Sequence, residues 1–472
     1  MFCKKRYFFS FFLIILTIFT RFYGLKWGSP YYFHPDENNM FFSLSQLSLS
    51  DLNPNFFAYG QFPLYLAFFT FGKTIFALRL WSAIFSCLSI YVFYLLGKKY
   101  FKKNSWIFVL FLIFNPGLIQ LAHFGTTESI LIFVFATNIY LSILLKEKFN
   151  FKYLLFASLV SGIGIATKPS ALIFIFPILL SLIISHHFLF TIHYLLLTIC
   201  FSFIFSPYYF LAFSDFINTF RYEVNIANGK IPIFYTRQFI GTTSYLFQFQ
   251  KIFPYVCGIP IMIYSFFGIF KINKKIKNIS LILIPVLFFF FYQGQLFVKW
   301  TRFMSPIFFI FPFLAVFFIQ NIKNYYLRYC LILLAILPGL FFMKLYFYPD
   351  IRIQADRWIT QNITKDSSIL SESANVYDLP INNQANYNII SFDFYHQEES
   401  KVPSTDYVII PSRRVFMNIK TNFHQKLFSS DSNYREIKKF VPNNYFFLDD
   451  EQAEETWTVF DRPTIRIYEK IK

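Results

Sequence analysis

Two adjacent carboxylates, Asp36 and Glu37, stand in the aromatic segment 31–39 of a chain in which only 14% of the residues are charged. A carboxylate within hydrogen-bond reach of a hydroxyl can act as a general base toward it. Such a pair can also be no more than a solvated turn. Because the neighbouring residues are tyrosine, phenylalanine, histidine and proline, we interpret Asp36 and Glu37 as a candidate catalytic pair at a membrane interface.

A third acid, Glu128, closes a short polar turn at residues 123–128. Thr127 or Ser129 could cap the helix that is expected to follow, and Glu128 would then complement the positive end of that helix. This capping role and a catalytic role are compatible. Glu128 is therefore the third candidate catalytic residue.

Three cations, Arg21, Lys168 and Arg302, stand at the ends of apolar stretches. Each could be an anchor in the interfacial region of a membrane. Each could equally bind a lipid-linked phosphate, for which a guanidinium is the better ligand because it can bond two oxygens at once. The glycines that precede Lys168 do not have the spacing of a nucleotide-binding loop.

No cysteine or histidine spacing in the chain is typical of a metal site. The five cysteines all lie within or beside apolar segments and form no CxxC motif, so neither structural zinc nor disulfides are predicted. His34 and His123 fall on the same predicted side of the membrane as the acids. They are candidate supporting residues, and a divalent cation stays an open alternative.

The elements that position these residues are predicted to be membrane helices. Of the 472 residues, 56% are hydrophobic and 23% are aromatic. Apolar runs of about 18 or more residues recur, which is the length needed to cross about 30 Å of hydrocarbon. The formal net charge of +18 comes from short basic clusters between these runs, so it indicates membrane topology and argues against nucleic-acid binding.

The basic clusters predict a multi-pass protein of the cell membrane with a cytoplasmic N-terminus, because lysine and arginine favour cytoplasmic loops. Basic residues 4–6 precede the first apolar segment, which we interpret as an uncleaved span, and the basic loop 271–277 is predicted to be cytoplasmic. The loops at about 25–73 and 207–250 are then on the outer side. About eleven spans are predicted, at about 7–24, 75–96, 105–121, 129–145, 153–167, 170–185, 188–206, 252–270, 279–297, 303–320 and 329–347.

The composition changes near residue 348, which divides a transmembrane domain, 1–347, from a small extracytoplasmic α/β domain, 348–472. An amphipathic helix is predicted over 351–362 by the spacing of its apolar residues. Strands are predicted at 368–370, 388–390, 407–410, 457–460 and 464–468. In the first outer loop, residues 38–50 and 62–71 are predicted to form short interfacial helices.

These motifs together resemble the type C membrane glycosyltransferases, in particular glycosyltransferase family 39, the branch of the protein O-mannosyltransferases and lipid A aminoarabinose transferases. Phe33-His34-Pro35-Asp36-Glu37 resembles the family's first acidic motif, and the turn 123–128 occupies the place of the second. Residues 167–169 resemble the family's lysine after the fifth span, and residues 302–306 resemble its late arginine-aromatic element. Residues 351–359 and 456–463 resemble two elements of its outer domain.

The resemblance implies a type C fold and the inverting transfer of one sugar from a polyprenyl-phosphate donor. The acceptor would be a lipid, glycan or protein of the cell envelope, at the outer face of the membrane. By position, Asp36 would be the general base and Glu37 its support, while Lys168 and Arg302 would bind the donor phosphate. Family members more often carry aspartate where this chain has Glu128, so the resemblance leaves the role of Glu128 open.

Other functions stay open at this stage. A transporter or flippase of lipid-linked sugars would place its acids within the spans near the bilayer midplane, whereas here the acids fall in outer loops. An enzyme of the O-antigen ligase type would transfer whole oligosaccharides. An inactive scaffold with an outer binding domain is the remaining alternative.

Overall fold

The chain is mostly helical, with one small sheet near its C-terminal end. A computed structural model describes residues 2–231, 233–272, 277–372, 380–381, 384–394, 397–412, 422–442 and 448–471. Positions 273–276 of the predicted basic loop lie outside these residues. The first eight helices are Phe2–Phe22 (α1), Pro35–Gln46 (α2), Phe62–Thr70 (α3), Ile75–Phe101 (α4), Ser105–Ile113 (α5), Pro116–His123 (α6), Glu128–Glu147 (α7) and Phe151–Thr167 (α8).

The second part of the helical region continues after a short 3-10 helix, Pro169–Ile175. Its helices are Phe176–Ile184 (α9), Phe188–Phe205 (α10), Tyr208–Leu211 (α11), Phe213–Ala227 (α12), Phe253–Cys257 (α13), Ile259–Ile269 (α14), Ser280–Gly294 (α15), Ile310–Ile319 (α16) and Tyr325–Met343 (α17). Another 3-10 helix, Thr301–Ile307, precedes α16.

Helices occupy every segment that was predicted to span the membrane, but the predicted number of eleven spans is not confirmed. Within the described residues, four helical stretches are long and apolar enough to cross a membrane on their own. The number rises to six if two bent pairs, with bends of 107° and 50°, each count as one span. The remaining apolar helices are shorter, so the chain is a multi-pass membrane protein whose span count stays open.

Aromatic packing joins most of the helices in one large hydrophobic cluster, and two smaller clusters lie beside it. The chain reverses at Lys102, which has a positive φ of 48°, so that α5 returns along α4 and the ring of Phe108 lies 6.1 Å from that of Phe93. Helices α14 and α16 approach even more closely. A Cβ on Gly268 would lie 2.0 Å from the carbonyl oxygen of Leu314, so a side chain there would force these two helices apart.

The predicted short helices of the first outer loop are present as α2 and α3. Pro35 stands at the first position of α2, where a missing N–H costs nothing. His34 caps the helix, because its Nδ1 accepts a hydrogen bond of 3.2 Å from the backbone N–H of Asp36. The sequence therefore folds locally so that Asp36 and Glu37 lie in the first turn of a helix.

The C-terminal region folds as predicted into a helix and a small sheet. The helix Ile351–Asn362 (α18) has the predicted bounds, and further short helices are Asn422–Phe428 (α19) and Glu455–Val459 (α20). The strands are Ser368–Glu372 (β1), Asn388–Phe392 (β2), Tyr407–Pro411 (β3), Tyr434–Phe440 (β4) and Ile465–Lys470 (β5), in the order β2-β1-β3-β5-β4. Strand β1 pairs in parallel with β2 and β3, whereas β5 is antiparallel to β3 and β4.

One strand that was predicted from the sequence is absent, and one strand of the sheet was missed. Residues 457–460 belong to α20 and the turn after it, not to a strand, because Trp457 is fully buried and Glu454 caps the helix by accepting from the backbone N–H of Thr456. Strand β4 was missed. Its charged sequence, YREIKKF, is tolerated because β4 is an edge strand.

The segment between β4 and β5, residues 449–462, packs against the apolar helices, and we call it the docking segment. Gln120 on α6 donates hydrogen bonds to the carbonyl oxygen of Trp457, at 2.9 Å, and to Asp461, at 3.0 Å. The hydroxyl of Tyr346 donates to the other oxygen of Asp461 at 3.0 Å. The sheet is thereby tied to the helical region by buried polar contacts.

Candidate active site

One cavity of about 890 Å³ collects four of the predicted site residues. They come from four separate parts of the chain: the start of α2, the start of α7, the end of α8 and the 3-10 helix before α16. The charged residues that line the cavity are Asp36, Glu128, Lys168, Glu223, Arg302 and Glu455. The structure therefore brings these four residues together at one cavity.

Asp36 forms an ion pair with Arg302. Both side chains are largely buried, with exposed fractions of 18% and 16%. Arg302 also lies over the ring of Trp300, 4.9 Å from its centroid. A guanidinium held between a carboxylate and an aromatic face is well oriented, and it can still offer N–H groups to an anion that enters the cavity.

Lys168 and Glu128 form a second, longer pair across the cavity, with 4.0 Å between Nζ and Oε1. The ammonium of Lys168 lies 5.0 Å from the ring centroid of Tyr59 and 5.2 Å from that of Phe303. Gly60 brings Tyr59 to this position, because its N–H donates to the carbonyl oxygen of Thr167 at 2.9 Å. The ammonium of Lys168 is therefore held by two aromatic rings and by one long contact to a carboxylate. Its N–H groups can still donate hydrogen bonds to a ligand.

Glu37 points away from the cavity into the protein. Its two oxygens accept from Nε and Nη2 of Arg79 at 2.8 and 2.6 Å, and Oε1 also accepts from the N–H of Gly125 at 2.5 Å. Arg79 in turn donates to the carbonyl oxygens of Leu25 and Trp27, both at 2.8 Å. Glu37 thus ties α2 to α4 and to the turn before α7. This position gives no support to the prediction that Glu37 is catalytic, and its contacts hold the first turn of α2 in place.

Arg21 does not reach the cavity, so its position gives no support to the prediction that it binds the donor phosphate. Its guanidinium is fully buried and donates to the hydroxyl of Ser86 and to the carbonyl oxygens of Leu112 and Ile113, at 2.9 to 3.0 Å. These carbonyls end α5, where helical oxygens lack partners within the helix. Arg21 joins α1 to α4 and α5.

The two candidate histidines lie behind the cavity wall. The ring of His34 packs between Phe124 and Phe460, with centroids at 4.5 and 4.2 Å. Burial, followed by the charges of Arg302 and two further arginines, holds the pKa of His34 well below its usual value. The ring is then neutral, as it must be for Nδ1 to accept the Asp36 N–H, and His34 supports Asp36 through the backbone.

His123 has a packing role in the structure. Its ring stacks on that of Tyr346, with 3.7 Å between centroids. Both ring nitrogens lie 2.8 Å from backbone oxygens, those of Ile119 and Tyr23. Within the described part of the chain, no three histidine, cysteine, aspartate or glutamate side chains come together as a group that could hold a metal ion.

Several residues of the site were not found from the sequence. Glu223 on α12 lines the cavity; enclosure by the wall raises the pKa of its carboxyl, and the charge of Lys168 opposes that shift. Glu455 and Thr456 of the docking segment also line the cavity, which no local motif indicates. Arg79 could have been found, because a lone arginine within an apolar helix requires a partner.

One side of the cavity is apolar. Its wall there comes from α9, α12, α15 and the 3-10 helix before α9, through Leu172, Phe176, Leu179, Phe220 and Phe288. A wall that combines charged groups with aliphatic and aromatic groups suits an amphiphilic ligand.

Comparison with known proteins agrees with the resemblance that the motifs indicate. Residues 60–210 match the family model described as dolichyl-phosphate-mannose-protein mannosyltransferase. This match confirms the resemblance to type C glycosyltransferases. It extends from α3 to α11 and includes Glu128 and Lys168, whereas Asp36 and Arg302 lie outside it. Among curated proteins, none matches the chain.

Two solved structures are similar to this one. ArnT from Cupriavidus metallidurans in the apo state has 14% sequence identity and a TM-score of 0.47, with 76% of this chain and 72% of that chain covered. ArnT from the same organism bound to undecaprenyl phosphate has 12% identity and a TM-score of 0.48, with 98% of each chain covered.

Proposed function

We propose that the protein transfers one sugar from a polyprenyl-phosphate donor to a hydroxyl of a cell-envelope acceptor, at the outer face of the membrane and with inversion. The observation that carries this proposal is the meeting of Asp36, Glu128, Lys168 and Arg302 in one cavity with an apolar side. The family match over residues 60–210 supports glycosyl transfer from a lipid-linked donor.

The donor would bind with its lipid tail along the apolar wall and its phosphate between Lys168 and Arg302. Both cations already face the cavity, and each is engaged by one carboxylate there. A phosphate in this position would replace Asp36 as the partner of Arg302, because a phosphate and a guanidinium form two parallel charge-assisted hydrogen bonds. The carboxylate of Asp36 would then be released toward the acceptor.

The reaction follows from this arrangement. Asp36 accepts the proton of the acceptor hydroxyl, whose oxygen forms a new bond to the anomeric carbon. The bond from that carbon to the phosphate oxygen breaks, and the polyprenyl phosphate leaves with the electron pair. Lys168 and Arg302 stabilise the negative charge that develops on the phosphate. Attack opposite to the leaving group inverts the anomeric centre.

The remaining acids would serve recognition. Glu128 keeps Lys168 oriented and Glu223 offers a further acceptor for hydroxyls of the sugar. The outer placement of the cavity and of the region 348–472 is part of the same proposal, because a lipid-linked donor and an envelope acceptor must both reach Asp36.

The test is an assay of membranes that contain the full-length protein with a panel of radiolabelled polyprenyl-phosphate sugars. Transfer of label from one of them to an envelope fraction, lost in Asp36→Asn, is expected. A panel that gives no transfer, together with protein-dependent movement of the intact donor across vesicles, would favour a flippase instead.

A further inference from the structure

Glu454 of the docking segment is a fully buried carboxylate next to the cavity. Its Oε1 accepts from the side-chain amide of Gln238 at 2.9 Å, and its Oε2 accepts from the backbone N–H of Thr301 at 2.9 Å. Thr301 directly precedes Arg302 in the chain. One carboxylate therefore holds the backbone at the point from which the cavity's guanidinium extends.

The position of Glu454 is itself strongly constrained. Its own N–H donates to the carbonyl oxygen of Lys251 at 3.0 Å, and the backbone N–H of Thr456 donates to Oε1 at 3.0 Å. The hydroxyl of Thr456 donates to Oε2 as well. Gln238 completes the arrangement, since its Oε1 accepts from the N–H of Glu455 at 3.0 Å.

The negative charge of Glu454 acts on Arg302. A buried carboxylate costs several kcal/mol unless hydrogen bonds and opposite charge compensate it. Among the described residues no lysine or arginine forms a direct salt bridge with Glu454, and its donors are neutral. The carboxylate and the Arg302 guanidinium nevertheless attract one another electrostatically, so each reduces the cost of burying the other.

We propose that Glu454 is the positioning residue for Arg302 when a phosphate occupies the cavity. This inference rests on the proposed function, in which the phosphate displaces Asp36 from Arg302. Asp36 can then no longer hold the guanidinium, and Glu454 supplies a fixed negative charge together with the hydrogen bond to the backbone of Thr301. The C-terminal region would thereby contribute directly to recognition of the donor phosphate.

The experiment compares the binding of undecaprenyl phosphate and of undecaprenol to the purified full-length protein in detergent. The ratio of the two dissociation constants isolates the contribution of the phosphate, because both lipids have the same tail. If the role of Glu454 were only structural, its substitution would weaken the binding of both lipids equally and leave the ratio of the dissociation constants unchanged. Glu454→Gln is expected to lower the phosphate preference by about tenfold.

Glu451→Gln is the matched control. Glu451 lies in the same docking segment and is also largely buried, but it pairs with Arg466 of β5 and accepts from Ser412 at 3.1 Å. Among the described residues, no hydrogen bond or ion pair joins the Glu451 side chain to the 3-10 helix that carries Arg302. Its substitution is expected to leave the phosphate preference as in the unmodified protein.

Each outcome decides one of the two proposals. If the unmodified protein shows no preference for the phosphate, or if Arg302→Gln keeps that preference, the proposed function fails. If Arg302→Gln loses the preference while Glu454→Gln keeps it, the function stands and the role of Glu454 is overturned. An equal loss in Glu451→Gln would also overturn it, because the effect would then be general.

A second variant covers the case in which Glu454→Gln does not fold. Thr456→Val removes only the hydroxyl that donates to Oε2 of Glu454. It is expected to lower the preference for the phosphate by about two- to threefold, the size of one hydrogen bond that helps to orient a charged group. An unchanged ratio in this variant would count against the role of Glu454.

Discussion

The guanidinium of Arg302 and the carboxylate of Asp36 form an ion pair inside the cavity. The pair joins the first turn of α2 to the 3-10 helix before α16. While the pair persists, the guanidinium compensates the negative charge of the carboxylate and makes it a weaker base. Under the proposed function, entry of the donor phosphate separates the two groups, so that a competent base exists only when the donor is bound.

Asp36→Asn tests this relationship directly. Sugar transfer is expected to fall by at least about 100-fold, because general-base catalysis contributes roughly that much or more. Binding of undecaprenyl phosphate should not weaken, since the variant removes a competitor for Arg302. Both quantities can be measured on membranes and on purified protein. Asp215→Asn, an exposed acid of α12 outside the cavity, is the control, and full transfer activity in Asp36→Asn would exclude Asp36 as the base.

Glu37→Gln is expected to act on stability. It would leave Arg79 buried with an uncompensated charge, and breaking such a pair costs about 3–5 kcal/mol. Thermal unfolding in detergent should show a larger loss of stability for Glu37→Gln than for Asp36→Asn, because the Arg79–Glu37 pair is fully buried and the Arg302–Asp36 pair faces the cavity. Equal stability of the two variants would contradict the structural role of Glu37.

Arg21→Gln distinguishes a structural arginine from one that binds phosphate. Loss of its hydrogen bonds to the carbonyls of Leu112 and Ile113 should destabilise the protein by about 1–3 kcal/mol. Affinity for undecaprenyl phosphate in the folded fraction should stay unchanged, whereas Arg302→Gln should lose about tenfold or more. A loss of affinity in Arg21→Gln as large as that in Arg302→Gln would show that Arg21 also binds the donor phosphate.

Asp461 should make the stability of the protein depend on pH. Burial raises the pKa of its carboxyl from 3.8 to about 6, and Arg462 opposes this shift. The folded state therefore keeps a proton that the unfolded state releases between these values, so the contribution of Asp461 to the free energy of unfolding falls as pH rises through that range and is constant above it. Asp461→Asn should remove this dependence.

The measurement is thermal unfolding of both proteins at pH values from about 4 to 8. The unfolding temperature of the unmodified protein, relative to that of Asp461→Asn, should fall as the pH rises to about 6. Above that pH the difference between the two proteins should stay constant. A difference that is the same at every pH would show that Asp461 does not titrate in this interval.

The helices and much of the site were predictable because local patterns encode them. Apolar runs marked the helices of the membrane region, and the spacing of Ile351, Ala355 and Ile359 marked α18. Asp36, Glu128, Lys168 and Arg302 could be singled out as candidates because each stands at an end of an apolar run or in the loop beside one, and because the motifs around them resemble those of a known family. A charged side chain in that position can anchor the helix at the interface, cap it or bind a ligand, and few other roles are open to it.

The remaining parts depend on contacts between distant segments, which local sequence does not report. Residues 457–460, Trp-Thr-Val-Phe, favour a strand by composition, yet burial of Trp457 and the cap from Glu454 place residues 457–459 in a helix. Arg21 and Arg302 both stand at the end of an apolar stretch. Only the three-dimensional positions of Ser86 and of the carbonyls at the end of α5 assign Arg21 to packing.

The docking segment also has a consequence for biosynthesis. The ribosome adds Glu454, Glu455 and Thr456 only after it has made every apolar helix, and these residues supply part of the cavity wall. A nascent chain that has reached residue 448 would contain Asp36, Lys168 and Arg302 but would lack Glu454, which holds Thr301. The translocation machinery must therefore deliver the late part of the chain to the same side as the loops made first, and the cavity can be completed only at the end of synthesis.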